Sequence, residues 1–322
     1  MNIDQLRNEL RPLDISVPFT PSDEELGYLD FYDIHFQKKI ASVEQYLGYL
    51  SCNNFRIACH YFANHNASRT CFIVHGYTDH VGLFGKVINY LLHRGCNVVA
   101  IDLPGHGLSS GESASIDSFG DYVLVLRQCL EFFYQKVPAP WHAIGQSTGG
   151  AVVMDYLLSQ QYDEQTGPFD KVLLLAPLVR PAGWQKIRVA HWILKGFVRG
   201  IKRGFSNNSH DEDFLHFVKH QDPLQPTRTP LAWISAMLQW NKRFKDLSWS
   251  DMEILIVQGE GDKTVDWKYN LAAIQNKFPQ AKQFRIQDAK HHLACESEPY
   301  FERVSQAADI YFDRRSSKRS ES

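Results

Sequence analysis

Residues 141–154 read Trp141-His142-Ala143-Ile144-Gly145-Gln146-Ser147-Thr148-Gly149-Gly150-Ala151-Val152-Val153-Met154, and they constrain the fold more than any other stretch. The segment begins as a short apolar run with strand character and ends in a helical pattern. Gly145 and Gly149 flank Ser147 two residues to either side. A strand that turns sharply into a helix leaves no room for a Cβ at those two positions. The residue between them is expected to be strained, with a positive φ. Such a turn lifts the Ser147 hydroxyl clear of a sheet edge. It also aims the free N–H groups of the new helix at whatever that hydroxyl attacks. G-x-S-x-G by itself arises by chance; the strand before it and the helix after it give it the form of a nucleophile elbow.

An elbow of this kind needs a parallel sheet to stand on, and the rest of the chain supplies the rhythm of one. Residues 42–50 and 55–63 alternate and are rich in aromatic and β-branched types, with a hairpin turn at 51–54. Short apolar runs then alternate with helical patterns. Strands are expected at 71–75, 97–102, 141–146, 171–176, 253–258 and 282–287. Helices are expected at about 81–94, 117–136, 149–160, 266–278 and 298–312. This alternation predicts an α/β fold with a mostly parallel sheet covered by helices on both faces. Residues 1–40 form an N-terminal extension in which Ser22-Asp23-Glu24-Glu25 caps a short helix to about Tyr32. The interval 178–250 breaks the rhythm. It is rich in proline, tryptophan and phenylalanine, with helical pieces and no expected strand. It is read as a cap inserted over the C-terminal edge of the sheet, where ligands bind in open α/β sheets. The core is thus 1–177 plus 251–314, and the polar tail 315–322 is expected to be disordered.

With 322 residues, 44% of them hydrophobic, the chain can bury one large core with an insertion. A formal net charge of -2 gives no whole-chain bias toward nucleic acid. Six cysteines without C-x-x-C spacing read as buried thiols in a reducing, cytoplasmic compartment. The opening residues lack the apolar run of a secretory signal, and no stretch of 18 uncharged apolar residues is present. No metal-ligand spacing is seen.

An alcohol is a poor nucleophile at neutral pH and needs a base, a group that orients the base, and donors for the oxyanion. Downstream of Ser147, the strand Ile254-Leu255-Ile256-Val257 runs into Gln258-Gly259-Glu260-Gly261-Asp262-Lys263-Thr264-Val265-Asp266. An acid in that loop faces the elbow; Asp262 is the choice, whereas Asp266 is placed to cap the next helix. After one more strand comes Lys290-His291-His292. Adjacent histidines cannot point the same way, and sequence physics alone leaves either as the base. The oxyanion donors are the N–H of Thr148, directly after the nucleophile, and that of Tyr77, in the loop after the strand ending His75-Gly76.

Several motifs together carry a resemblance. They are His75-Gly76-x-x-Asp79-His80, Asp102-x-Pro104-Gly105-His106-Gly107-x-Ser109-x-Gly111, Gly145-x-Ser147-x-Gly149, Gly259-x-x-Asp262 and His291-x-Leu293-x-x-Glu296. Over about 70–312 the chain resembles the monoacylglycerol lipase and lysophospholipase group of α/β-hydrolases, the serine aminopeptidase S33 family. The resemblance implies an α/β-hydrolase fold with an eight-stranded sheet and a mobile helical cap. It also implies cofactor-independent hydrolysis of carboxylic esters, often with one long acyl chain. It selects His291 as base, with Glu296 five residues on, leaves His292 at a variable position, and selects Asp262 as the acid. Asp222-Pro223-Leu224 resembles a cap motif of the same family. Tyr77 departs from the pattern, standing where a small residue is more usual.

The expected partner is a small ester or lipid, with His75, Trp184 and Trp192 as candidate substrate contacts and no cofactor. Two other functions stay open: an aminopeptidase-type amide hydrolase, and a non-catalytic ligand-binding protein on the same fold. Dehalogenase and epoxide-hydrolase chemistry needs a carboxylate at the elbow. Within the cap, Trp184, Ile187, His191, Leu194, Val198, Ile201 and Phe205 recur at steps of three and four, which predicts one helix face over 184–205. Between 181 and 205 there are six basic residues and no Asp or Glu. Such a helix is expected either to pack as a lid or to dock peripherally on an anionic membrane.

Overall fold

The computed structural model describes residues 2–314; the 315–322 tail lies outside the described residues. The N-terminal extension carries α1 (Ile3–Glu9), α2 (Asp23–Phe31) and α3 (Phe36–Lys39). The Ser22 hydroxyl accepts from Glu25 N–H while the Glu25 carboxylate accepts from Ser22 N–H, the reciprocal cap that the sequence signalled. The chain continues through the hairpin β1 (Val43–Cys52) and β2 (Phe55–Asn64), then β3 (Arg69–Val74), a 3-10 turn at Val81–Phe84, α4 (Gly85–His93), β4 (Cys96–Ile101), α5 (Phe119–Phe133), β5 (Trp141–Gln146), α6 (Thr148–Ser159) and β6 (Lys171–Leu175). Next come α7 (Trp184–Leu194), β7 (Gly200–Lys202), α8 (Glu212–His220), β8 (Arg228–Pro230) and α9 (Leu231–Asp246). The chain closes with β9 (Leu255–Gly259), α10 (Trp267–Lys277), β10 (Lys282–Ile286) and α11 (Glu298–Phe312).

Eight strands form one sheet in the order β1-β2-β4-β3-β5-β6-β9-β10. The β1–β2 and β2–β4 pairs are antiparallel and every other pair is parallel. Successive strand residues feed two separate cores. Phe72, Val74, Val99, Ile101, Val172 and Leu174 join the cluster containing α5, α6, α9 and α10 residues. Their neighbours Cys71, Ile73, Val98, Ala100, Leu173 and Leu175 join the cluster containing α2, α4 and α11 residues. Strands buried on both faces must read as continuous apolar runs, which is why the sequence shows them so clearly.

The interval 178–250 departs from the sequence expectation in two ways. It holds a short antiparallel ribbon, β7 with β8, where no strand was expected. The helix begun at Trp184 stops at Leu194 instead of running to Phe205. The break has a local cause: Lys195 is extended, and Gly196 takes a left-handed φ of 97°, the conformation in which glycine ends helices. Gly200 then enters the ribbon, where a Cβ would lie 2.9 Å from Thr229 O. Within α7, Trp184, Ile187 and Leu194 do pack inward. Val198, Ile201 and Phe205 lie beyond the break and are exposed. At the end of the interval α9 is built into the body: Trp240 and Phe244 are fully buried, and Trp240 Nε1 donates to Leu178 O at 3.2 Å.

Candidate active site

At the end of β5 the backbone does what the glycine spacing requires. Ser147 holds φ 51° and ψ −108°. A Cβ on Gly145 would lie 2.7 Å from Gly150 N, and one on Gly149 would lie 1.9 Å from Val74 O. Ser147 N–H donates to Leu175 O at 2.9 Å, which pins the elbow to the neighbouring strand. The strain of a positive φ at a non-glycine residue, about 1–3 kcal/mol, is thus held by packing on both sides.

The loops after β9 and β10 bring the other two residues in. Ser147 Oγ lies 3.0 Å from His291 Nε2, and His291 Nδ1 lies 2.7 Å from Asp262 Oδ2. With Nδ1–H donated to Asp262, Nε2 is left to accept the Ser147 proton, the protonation pattern that base catalysis needs. Asp262 also accepts from Thr264 N–H at 2.7 Å, Val265 N–H at 3.1 Å and Gln258 Nε2 at 3.1 Å. Burial pushes its carboxyl up, but the charge and hydrogen bond of His291 and those two amides outweigh it and hold it below the usual range. Asp266 caps α10 through Tyr269 N–H and pairs with Arg180 at 2.6 Å.

The histidine loop is clamped from two directions. Gln146, beside the nucleophile, donates from Nε2 to His291 O at 3.0 Å. Glu296 is fully buried and accepts from the N–H groups of Lys290, His210 and Ser297 at 2.8, 2.7 and 3.0 Å, closing the turn that carries His291. The H-x-L-x-x-E spacing is therefore a loop and its own cap.

The β3 loop brings Gly76 against the elbow: a Cβ there would lie 3.4 Å from Ser147 Cβ. Among the described residues, neither Tyr77 N–H nor Thr148 N–H meets an acceptor, and both residues line the cavity above Ser147. The large side chain at 77 does not fill the turn. It stacks on Trp233 at 3.6 Å between centroids, and its hydroxyl donates to Ala114 O at 2.9 Å. A nucleophile, a base, an orienting acid and two free amides can together carry out acyl transfer.

The three other candidate contacts lie elsewhere. His75 is buried, hydrogen-bonded to Gly76 O at 2.7 Å through Nδ1 and accepting from Leu103 N–H at 2.8 Å through Nε2. Burial keeps it neutral, with its pKa lowered to about 3. It holds the sheet-edge loops together and does not line the cavity. Trp184 packs against the body and Trp192 is 72% exposed; neither lines the cavity. The cavity, about 580 Å³, instead takes its outer wall from Arg203–Asn208, Phe214, Val218, Thr229 and Trp233.

Two buried ion pairs surround the site, and sequence reasoning did not identify them. His292, which lines the same cavity, bonds Asp79 Oδ1 through Nε2 at 2.9 Å. His80 bonds Asp222 Oδ2 at 3.0 Å, and Tyr32 OH donates to Asp222 Oδ1 at 2.6 Å. Asp222 thereby ties the inserted interval to the loop after β3. The motifs contain Asp79, His80 and Asp222, with His292 at a variable position, but no spacing signals the pairing, because the two members of each ion pair sit over 140 residues apart.

The Asp79–His292 pair makes a pH-dependent prediction. Burial pushes Asp79 up, but the charge of His292 outweighs it and the carboxyl sits at about 2. Burial alone would drive off the His292 proton, but Asp79 holds it well above its ordinary value. A depressed carboxylate adds stability above its unfolded value of about 4; a raised histidine adds stability below its unfolded value of about 6.5, lost as pH climbs toward its folded pKa. The pair therefore contributes fully between about pH 4 and 6.5. Asp79→Asn is expected to lower Tm by roughly 5–15 °C in that window. The deficit should shrink at alkaline pH, and thermal melts across the range check it; a deficit that grows toward alkaline pH would refute the pairing.

The sheet, the elbow and the order of Ser147, Asp262 and His291 along the chain define an α/β-hydrolase. The model of the serine aminopeptidase S33 family matches residues 65–298, and the chain belongs to that family. It is an α/β-hydrolase of the monoacylglycerol lipase group. Human monoglyceride lipase is 30% identical over 237 residues, covering 69% of this chain and 74% of the relative. An uncharacterised abhydrolase domain-containing protein of Dictyostelium discoideum is 26% identical over 60% of this chain, which spans only 21% of that relative's length. A soluble variant of the Saccharomyces cerevisiae monoglyceride lipase, solved with a substrate analogue, superposes with a TM-score of 0.70 at 16% identity, over 83% of this chain and 94% of that one.

Proposed function

We propose that this chain is a serine hydrolase that cleaves carboxylic esters of the monoacylglycerol or lysophospholipid type through an acyl-enzyme on Ser147. The observation that carries the proposal is the continuous relay from Ser147 Oγ to His291 Nε2 and from His291 Nδ1 to Asp262 Oδ2. Ser147 Oγ attacks the ester carbonyl carbon as its proton passes to His291 Nε2. Asp262 stabilises the resulting imidazolium, and the carbonyl oxygen, now an anion, takes the Tyr77 and Thr148 N–H groups. The C–O bond to the alcohol breaks and His291 returns the proton to the leaving oxygen. Water, activated by the same base, then attacks the acyl-enzyme and releases the acid. The apolar walls of the cavity, among them Leu178, Phe205, Phe214 and Trp233, suit an acyl chain. The interval 178–250 serves as the cap. The expected result is turnover of 1-decanoylglycerol and of p-nitrophenyl esters, with amino-acid amides left intact in a parallel assay. Turnover of the amides at comparable kcat/KM would instead support the aminopeptidase alternative.

The substrate reaches the site from a membrane surface. Val189, Trp192 and Ile193 on α7, and Phe197, Val198, Ile201 and Phe205 past its break, are exposed apolar side chains, with Phe197 86% exposed. Around them stand Lys186, Arg188, Lys195, Arg199 and Lys202 with no acidic residue between 181 and 205. This pairing of aromatic and basic groups suits the interface of an anionic bilayer, each cation adding about 1 kcal/mol. Among the described residues no helix is long and apolar enough to cross a membrane, so the contact proposed is peripheral. Six buried, unpaired cysteines support a cytoplasmic setting. Phosphatidylserine vesicles are expected to sediment the protein at low salt and release it at high salt. The Lys195→Glu, Arg199→Glu, Lys202→Glu triple variant should stay in the supernatant. Equal sedimentation of wild type and triple variant would overturn the docking proposal.

A further inference from the structure

The cavity contains a cation that the chemistry above does not use. Arg203 lines it from the strand-to-loop turn after β7. Its guanidinium lies 4.6 Å from the centroid of Phe205, and Nη1 donates to Gln225 Oε1 at 2.5 Å and Pro226 O at 3.3 Å. Those contacts fix the fork in place. Among the described residues Nε and Nη2 have no acceptor, and no carboxylate lies within ion-pair distance. The two acids whose charge reaches Arg203 are Asp79 and Asp222. Each is already paired with its own histidine, at 2.9 and 3.0 Å. Among the described residues Asp79 is the only acidic one lining the cavity, whereas the exposed His216, Lys219 and His220 also line it. A part-buried cation on the cavity wall with two free donors and no counter-ion presents those donors to an anionic ligand.

We infer that Arg203 is a specificity residue that binds an oxyanion carried by the substrate, a phosphate or a carboxylate, while Ser147 attacks its ester. The inference rests on the ester-hydrolase proposal and narrows it to single-chain esters with a fixed negative charge. An uncharged monoacylglycerol leaves Nε and Nη2 without a partner; an anionic group close to the reacting ester takes both in the bidentate geometry that guanidinium favours.

The test compares two matched pairs of substrates. The first is 1-decanoylglycerol 3-phosphate against 1-decanoylglycerol, with the charge in the alcohol half. The second is the p-nitrophenyl monoester of suberate against p-nitrophenyl octanoate, with the charge in the acyl half. The expected result is an anionic-over-neutral preference in kcat/KM of about 10-fold or more in at least one pair, which also tells phosphate on the alcohol from carboxylate on the acyl chain. Arg203→Gln should reduce that ratio by about 10- to 100-fold, mainly through KM, and Arg203→Lys should restore part of it. Using the ratio removes any general loss from imperfect folding. Neutral esters turned over as well as anionic ones, with a ratio indifferent to Arg203→Gln, would overturn this inference while leaving the ester hydrolase standing. Turnover of no ester in either pair would overturn both.

Discussion

Ser147→Ala is expected to lower kcat/KM for p-nitrophenyl esters by about 10⁵- to 10⁶-fold with little change in Tm. The loss follows from the chemistry: without Oγ no acyl-enzyme forms, and the free amides at Tyr77 and Thr148 can assist only slow attack by water. Residual activity above the uncatalysed rate would come from that oxyanion site alone. Stability should hold because Ala fits the same backbone with one atom fewer, and the elbow is fixed by Gly145, Gly149 and the Ser147 N–H bond to Leu175 O. Steady-state kinetics and a thermal melt on the same preparation give both numbers. A loss below about 100-fold would mean that Ser147 is not the nucleophile.

His291→Ala is expected to cost about as much in kcat, because nucleophile and base act as one unit and removing either disables both. His292→Ala should affect stability more than chemistry. It leaves the buried Asp79 carboxylate without its cation, a cost of about 3–5 kcal/mol that a melt would register. Its kcat should fall at most about 100-fold, through disturbance of the turn that holds Gly76 and Tyr77. The pair of variants thus separates two adjacent histidines by readout: catalysis for His291, Tm for His292. Equal kcat losses in both, with equal Tm, would contradict the geometry.

What the sequence showed and what it concealed divide along physical lines. Strands buried on both faces write themselves as apolar runs, so β3, β4, β5, β6 and β9 were legible within a residue or two. The elbow was legible because close packing at Gly145 and Gly149 excludes every other residue type. Asp262 was legible from its loop after a strand. The choice of His291 over His292 was not, since adjacent residues share one loop and only the fold decides which faces Ser147; the resemblance supplied it. The helix expected over 184–205 failed at Gly196, where a local left-handed turn overrode a periodicity that was real only as far as Leu194. Asp79–His292, His80–Asp222 and the unpaired Arg203 were beyond reach because their meaning lies in which partners the tertiary fold brings, or does not bring, to each charge.

The central claim is that Ser147 is the residue that becomes acylated. Treating the protein with a fluorophosphonate at neutral pH, followed by intact mass and peptide mapping, tests it directly. The account predicts one phosphonyl group per chain, on the peptide containing Gly145-Gln146-Ser147-Thr148-Gly149, and no labelling of Ser147→Ala. An adduct mapped to another residue, or labelling of Ser147→Ala at the wild-type rate, would contradict it.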